Sequence, residues 1–309
     1  MARRPDWRGV FPAVTTQFRD DFSLDLEATA HVIGALVRDG VSGLIIAGTV
    51  GENTALAASE KVALIEAAKD AAGGRVPVLA GVAEYTSAFA STFAREAERV
   101  GIDGLMVLPP MVYAGKPRET IEHFATVARA SDLPIMIYNN PPAYRTDVTP
   151  AMLKQMADID TLVSFKESSG DTRRFVDIRN MLGDRYIPFC GLDDVVLESL
   201  ALGAVGWVSG LSNVFPREGE TLYRLVAAGR LDEAMPLYDW FMPLLHLDAR
   251  HDLVQAIKLC ERIIGRGNDV TRPPRLPLDP GEVAEIEAIM GRALARRPDL
   301  PDVGLPQAA

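Results

Sequence analysis

Short apolar runs recur through the first two thirds of the chain, each about the length of a β-strand. They read "GVFPAVTTQF", "GLIIAGTV", "VPVLAGV", "GLMVLPP", "LPIMIYNNP", "LVSFKES", "YIPFCGLDD" and "AVGWVSGL". Several start just after Gly or Pro, as strands bounded by turns do. Between them the apolar positions move to three- and four-residue steps. "LEATAHVIGALVRDG", "ASEKVALIEAAKDAAGG" and "SAFASTFAREAERVG" show this step and end in Gly, and "RETIEHFATVARASD" shares the helical pattern. "TPAMLKQMAD" opens with Thr149 as a cap and Pro150 at the first helical position.

Eight strand candidates alternating with helices predict parallel strands joined by helical crossovers, and eight such units suffice to close a (β/α)8 TIM barrel. A doubly wound open sheet is the competitor, but no Gly-rich dinucleotide fingerprint opens the chain. From about Pro216 the strand signal stops. "REGETLYRLVAAGR", "LDEAMPLYDWFMPLLHLD", "HDLVQAIKLCERIIGRG" and "DPGEVAEIEAIMGRALARR" all read as amphipathic helices. The expected division is a barrel over 1–216 and a helical extension packed on it over 217–309. The Pro-rich end, "RPDLPDVGLPQAA", is expected to be loose.

Composition narrows the function classes. The chain has 309 residues, 48% of them hydrophobic, enough for a large core. A net charge of −10 argues against nucleic acid or an anionic membrane as the main partner. No window approaches a membrane span, and the Arg-containing start lacks an apolar segment of signal-peptide length, so a cytoplasmic protein is the expectation. Cys190 and Cys260 lie in apolar settings and are read as small packing residues. His31, His123, His246 and His251 show no ligand spacing with Asp, Glu or Cys, so neither a metal site nor a Ser-His-Asp triad is expected.

In a barrel of this kind the chemistry sits at the C-terminal ends of the strands. Of six lysines, Lys61, Lys69, Lys116, Lys154 and Lys258 fall in helices or loops and read as solvated charges. Lys166 ends the apolar run of "TLVSFKESSG", aimed at a dry interior. Desolvation there lowers an amine's pKa and makes it a nucleophile toward a carbonyl or imine. The competing reading is an ion pair with Glu167 or with an acid on a neighbouring strand. Tyr138 ends the preceding strand, where a phenol could shuttle protons beside an imine, or could be an ordinary barrel tyrosine. The glycines of "GTVGEN", Gly48 to Asn53, let backbone N–H groups approach a small carboxylate.

Taken together, "GTVGEN" after strand two, "YNNP" after strand five and "FKESSGD" after strand six resemble the dihydrodipicolinate synthase / N-acetylneuraminate lyase family, over roughly Gly9 to Arg296. The resemblance implies a (β/α)8 barrel with C-terminal helices, no cofactor, a small-molecule substrate, and assembly as a homo-oligomer, a tetramer or dimer. It also implies Lys166 as the Schiff-base residue, Tyr138 as the proton-transfer phenol, Thr49 as the hydroxyl beside it, and the turn at Gly48, Thr49 and Val50 as the carboxylate cradle.

The departures from the synthases bear on the substrate. Val50 stands where the family usually has a second hydroxyl. Met111 and Val112 stand where the synthases have an aromatic pair, whose tyrosine enters the neighbouring subunit's proton relay; Tyr113 is one step later. Ala143 stands where the synthases place an arginine for the carboxylate of the incoming semialdehyde, and Arg145 lies two residues on. The pattern is similar to the branch that deaminates 1-pyrroline-4-hydroxy-2-carboxylate in hydroxyproline catabolism, to which "DARHDLVQAIK", with Asp248, also bears likeness. Some aldolase branches also carry an apolar residue at the Val50 position. A 2-keto-3-deoxy sugar acid aldolase or dehydratase is therefore the alternative, with 4-hydroxy-tetrahydrodipicolinate synthase behind it. A non-catalytic ligand sensor on the same barrel is a further alternative, since fold does not fix function. Arg145, Ser209 and Asn213 are candidate substrate-binding residues, and Asp193 or Asp194 a candidate helix cap.

Overall fold

The computed structural model describes residues 4–110 and 113–306. Its eight strands are β1 (Gly9–Pro12), β2 (Leu44–Ile46), β3 (Val78–Val82), β4 (Gly104–Val107), β5 (Ile135–Asn139), β6 (Leu162–Glu167), β7 (Ile187–Cys190) and β8 (Gly206–Ser209). All pair in parallel, in the order β1-β8-β7-β6-β5-β4-β3-β2. Closure between β1 and β2 is brief. The Val14 N–H donates to Ile45 O at 2.9 Å and the Ser42 N–H to Val10 O at 3.0 Å. The fold is the expected (β/α)8 barrel.

Its crossover helices are α1 (Leu26–Arg38), α2 (Ala58–Ala72), α3 (Ser87–Val100), α4 (Pro117–Ala128), the short α5 (Pro141–Tyr144), α6 (Pro150–Gln155), α7 (Arg173–Leu182) and α8 (Val196–Ala201). Local sequence sets their ends. Asp25 and Thr86 accept from the N–H groups of Ala28 and Phe89, satisfying first-turn donors that have no helical partner. Thr149 and Pro150 open α6 as their residue types predict. Gly73 and Gly101 end α2 and α3 in the left-handed conformation.

Four helices follow the last strand: α9 (Pro216–Ala227), α10 (Leu231–Leu245), α11 (Leu253–Ile263) and α12 (Pro280–Ala295). The first of them packs on β1 and α8. Buried Glu220 of α9 accepts the Val10 N–H at 3.1 Å and the Ser42 hydroxyl at 2.8 Å, pairing a β1 donor beside the barrel's short seam. Thus α9 packs on the barrel itself as well as on α10. The end of the chain is tied down as far as Pro306, since Arg217 and Arg224 donate to carbonyls at Pro306, Val303 and Gly304.

Candidate active site

The period-two alternation of β6 explains where its lysine goes. Ser164 and Lys166 share the inner face, while Phe165 and Glu167 face the helices, Phe165 stacking on Phe175 of α7 at 5.9 Å. Glu167 therefore points away from Lys166. It accepts from Asn139 at 3.1 Å and lies 3.7 Å from Arg174, which removes the ion-pair reading for that neighbour. Lys166 is only 5% exposed, and burial lowers its pKa, as an amine nucleophile requires.

Tyr138 is the direct register partner of Lys166, and the ammonium nitrogen lies 3.9 Å from the centre of its ring. The two asparagines of "YNNP" take separate tasks. Asn139, facing out, holds Glu167 and accepts the Val148 N–H at 2.8 Å. Asn140 donates to the Tyr138 hydroxyl at 3.1 Å while its oxygen caps α5 through the Ala143 N–H. Burial raises the pKa of Tyr138 and the Asn140 hydrogen bond opposes this, so the phenol is held protonated yet has a donor ready for its oxygen.

The turn after β2 is strained and braced. Ala47 sits at φ 52° and Glu52 at φ 54°, a conformation that costs a non-glycine residue about 1–2 kcal/mol. Asn53 grips this turn, donating to Ala47 O at 2.8 Å and Gly81 O at 2.9 Å. A Cβ at Gly81 would lie 2.3 Å from the Ala47 oxygen, so β3 must carry glycine there. The result presents Thr49 and Val50 to the barrel mouth, and their backbone N–H groups meet no acceptor among the described residues. The Thr49 hydroxyl is hydrogen-bonded to that of Tyr144, whose ring lies edge-on to Tyr138 at 5.5 Å.

These groups line a cavity of about 70 Å³ at the C-terminal ends of the strands, together with Met106, Ala143, Gly191, Leu192, Val208, Asp248 and Leu253. Lys166 is the one cation and Asp248 the one carboxylate among its described lining residues. A wider groove of about 770 Å³ runs by Trp7, Phe175, Pro188 and Tyr223 at the opposite ends of the strands, away from the lysine. No helix among the described residues is long and apolar enough to cross a membrane, and no cluster there could hold a metal ion.

Lys166, Tyr138, Thr49 and Val50 thus line one cavity, and Gly48 supports the turn by accepting the Asn53 N–H at 3.2 Å. Three other candidates are not on the cavity wall. Arg145 is exposed, at the left-handed end of α5. Ser209 is fully buried; its hydroxyl donates to Asp193 and accepts the Ser212 N–H. Asn213 donates to Ala13 O at 2.7 Å and Gly210 O at 2.9 Å, tying β8 to β1. Asp193 does not cap the helix that follows it. It gathers the Trp207 indole and the Leu211 N–H, each at 2.8 Å, at the end of β8. Met111 and Val112 lie outside the described residues, and Tyr113 is exposed.

Two lysines read as solvated are buried. Lys61 pairs with Glu84, and the fully buried Lys258 donates to Thr16 O, Val270 O and Glu52. Their helical spacing concealed this, because the partners lie on other elements. Tyr144 and Asp248 join the expected residues on the cavity wall. The sequence signal for Tyr144 is its place shortly after "YNNP", and for Asp248 its place in "DARHDLVQAIK", which follows a helix remote from any strand end.

Residues 6–293 match the dihydrodipicolinate synthetase family. The chain is 31% identical to a DapA-like lyase of Rhizobium meliloti, over 94% of this chain and 95% of that one. It is 32% identical to a 4-hydroxy-tetrahydrodipicolinate synthase of Methanothrix thermoacetophila, over 95% and 98%. Among solved structures it superposes with TM-score 0.89 and 27% identity on YagE, an E. coli K12 protein of the dihydrodipicolinic acid synthase family in complex with pyruvate, covering 94% of this chain and 99% of that one. With a buried strand-end lysine beside a phenol and a sequence match along nearly its whole length, the chain belongs to the dihydrodipicolinate synthetase family of Schiff-base lyases.

Proposed function

We propose that the protein converts 1-pyrroline-4-hydroxy-2-carboxylate and water into 2-oxoglutarate semialdehyde and ammonia. The observation that carries this is the balance of polar groups in the cavity. Lys166 is its one cation among the described lining residues, Ala143 stands where the synthases place an arginine, and Val50, Leu192, Val208 and Leu253 supply apolar wall. Such a site suits a compact substrate with one carboxylate and few hydroxyls. A second carboxylate has no partner there, and a polyhydroxylated chain would leave hydroxyls against apolar wall.

The groups of the cavity support a route to these products. The substrate carboxylate takes the unpaired N–H groups of Thr49 and Val50, which places C2 near the Lys166 amine. Lys166 adds to C2, and the ring opens by transimination, leaving a primary amine on C5. The iminium acidifies the C3 protons, and the Tyr138 oxygen takes one as its own hydroxyl proton passes on toward Tyr144 and Thr49. The Tyr144 and Thr49 hydroxyls extend the proton path from Tyr138 within the same chain. The electrons left at C3 form a C3–C4 double bond as the C4 hydroxyl departs as water. Proton transfer from C5 to C3 shifts the double bond to C4–C5. The resulting enamine becomes an imine, and one water releases ammonia. A second water frees the product from Lys166, so the net reaction consumes one water.

Borohydride trapping read by intact mass tests this reading, with the pyrroline, pyruvate and 2-keto-3-deoxy sugar acids supplied separately to wild type and Lys166→Ala. The expected result is an adduct in wild type alone, strongest with the pyrroline, together with ammonia release in unreduced samples. Preferential trapping and turnover of a sugar acid would replace this reading with an aldolase or dehydratase. Absence of any adduct would reopen the ligand-sensor reading.

A further inference from the structure

Asp248 enters the cavity from outside the barrel. It follows α10, in the connection to α11, and its carboxylate is pressed against the end of β8. A Cβ at Gly210 would lie 2.1 Å from the Asp248 Oδ1 atom and 2.7 Å from Ile257 Cδ1, so the space at Gly210 is what admits the carboxylate. Asp193, its acidic neighbour, is fully engaged by the Trp207 indole, the Ser209 hydroxyl and the N–H groups of Gly210 and Leu211. Asp248 has no side-chain donor of its own among the described residues. The Asp193 backbone N–H and the charge of Lys166 are what offset its burial.

We propose that Asp248 is the acid of the elimination step: its carboxyl group hydrogen-bonds the substrate's C4 hydroxyl and protonates the oxygen as it leaves. The proposal rests on the dehydration reading of this site. As the C3 proton departs to Tyr138, the C3 electron pair becomes the C3–C4 double bond and the C4–O bond breaks. The oxygen keeps that bonding pair, takes the Asp248 proton and leaves as water. Asp248 is left a carboxylate, and water restores its proton.

The electrostatic setting agrees. Burial raises the Asp248 carboxyl to about 6, against the opposing pull of Lys166 and with Asp194 adding to the rise. A group near that value gives and regains a proton readily around neutrality. The Asp248 charge also raises the Tyr138 pKa, which places the proton acceptor and the proton donor of the step within each other's field.

The test compares wild type, Asp248→Asn and Asp248→Ala by borohydride trapping with pyruvate, with 1-pyrroline-2-carboxylate, which lacks the hydroxyl, and with the 4-hydroxy substrate. Both variants should still trap pyruvate and the unhydroxylated pyrroline, showing the fold and Lys166 intact. With the 4-hydroxy substrate the variants' adduct should have the mass of the reduced intermediate that keeps its C4 hydroxyl, whereas the wild-type adduct should have lost that hydroxyl. Ammonia release should fall about 10²- to 10⁴-fold. A variant adduct that has lost water at the wild-type rate would overturn the proposal. If wild type forms no adduct with the hydroxypyrroline, the substrate reading falls first. The same comparison is then read with a 2-keto-3-deoxy sugar acid, whose C4 hydroxyl bears the same relation to the iminium. Water lost alike by wild type and variants, or by neither, would then overturn the role of Asp248.

Discussion

Tyr144 separates this site from the synthase arrangement described for its family. Its hydroxyl meets Thr49 and its ring meets Tyr138, so one chain supplies three neighbouring hydroxyls at the barrel mouth. Tyr144→Phe keeps the ring and removes the proton path. It should lower kcat about 10- to 100-fold, below the full effect of a general acid or base, with adduct formation at Lys166 retained. Steady-state rates beside single-turnover trapping check this, and an unchanged kcat would take Tyr144 out of the relay. Glu261 gives a second prediction at this scale. Burial lifts its carboxyl from the ordinary 4.5 to about 7, against the Thr15 hydroxyl, the charges of Lys258 and Arg266, and Gln17. Because the folded value is the raised one, the stability it contributes is complete below pH 4.5 and is lost as pH rises through 7. The loss is on the order of a few kcal/mol. Glu261→Gln should flatten the fall of the unfolding midpoint between pH 4.5 and 7, read by thermal melts across that window.

At the level of elements, the extension buttresses the turn after β2. Lys258 of α11 reaches Glu52 at 3.3 Å and Thr16 O at 2.8 Å, and the Arg272 N–H binds the other Glu52 oxygen at 3.0 Å. Glu52 is in the left-handed conformation in the same turn that presents Thr49. The pair is fully buried, and without Lys258 the Glu52 charge in that dry place is left to Arg275, 3.8 Å from its Oε2 atom. Lys258→Met should cost about 3 kcal/mol in denaturant unfolding, the lower end for breaking a buried pair. It should also raise KM for the carboxylate substrate, because the strained turn loses its brace. Lys258→Met combined with Glu52→Gln should recover much of the stability. Failure to recover would show that hydrogen bonds to the carbonyls, rather than the charge pair, hold the turn.

The molecule as a whole leaves aromatic residues in water beside its working end. Tyr85 follows β3, Phe89 lies in the first turn of α3 and Tyr113 follows β4, at 63%, 57% and 60% exposure. Large side chains left in water at the ends of two neighbouring strands suit an interaction surface. The expected occupant is a second copy of this chain, in keeping with the oligomers usual in the family. Phe89→Glu together with Tyr113→Glu should lower the mass measured by light scattering, whereas Leu276→Glu, a single exposed residue elsewhere, should not. Since Thr49, Tyr138, Tyr144 and Lys166 all lie in one chain, the separated variant should keep adduct formation.

The sequence by itself determined the barrel and the strand-end places of Lys166 and Tyr138, because these depend on short-range patterns. Strand length, helical period and the position of Lys166 and Tyr138 at strand ends can be read within a few residues. Motifs adjoining the strands located the Thr49 turn in the same way. Tertiary structure decided which polar groups complete the site, because that depends on residues far apart in the chain meeting. Thr49 and Tyr144 are separated by 95 positions, Glu52 and Lys258 by 206. Ser209 and Asn213 had the right position for a substrate contact, but the packing at the end of β8 turned them toward Asp193 and the β1 backbone. Asp248 had no strand-end position to mark it, and only the return of the extension across the mouth of the barrel brought its carboxylate into the cavity.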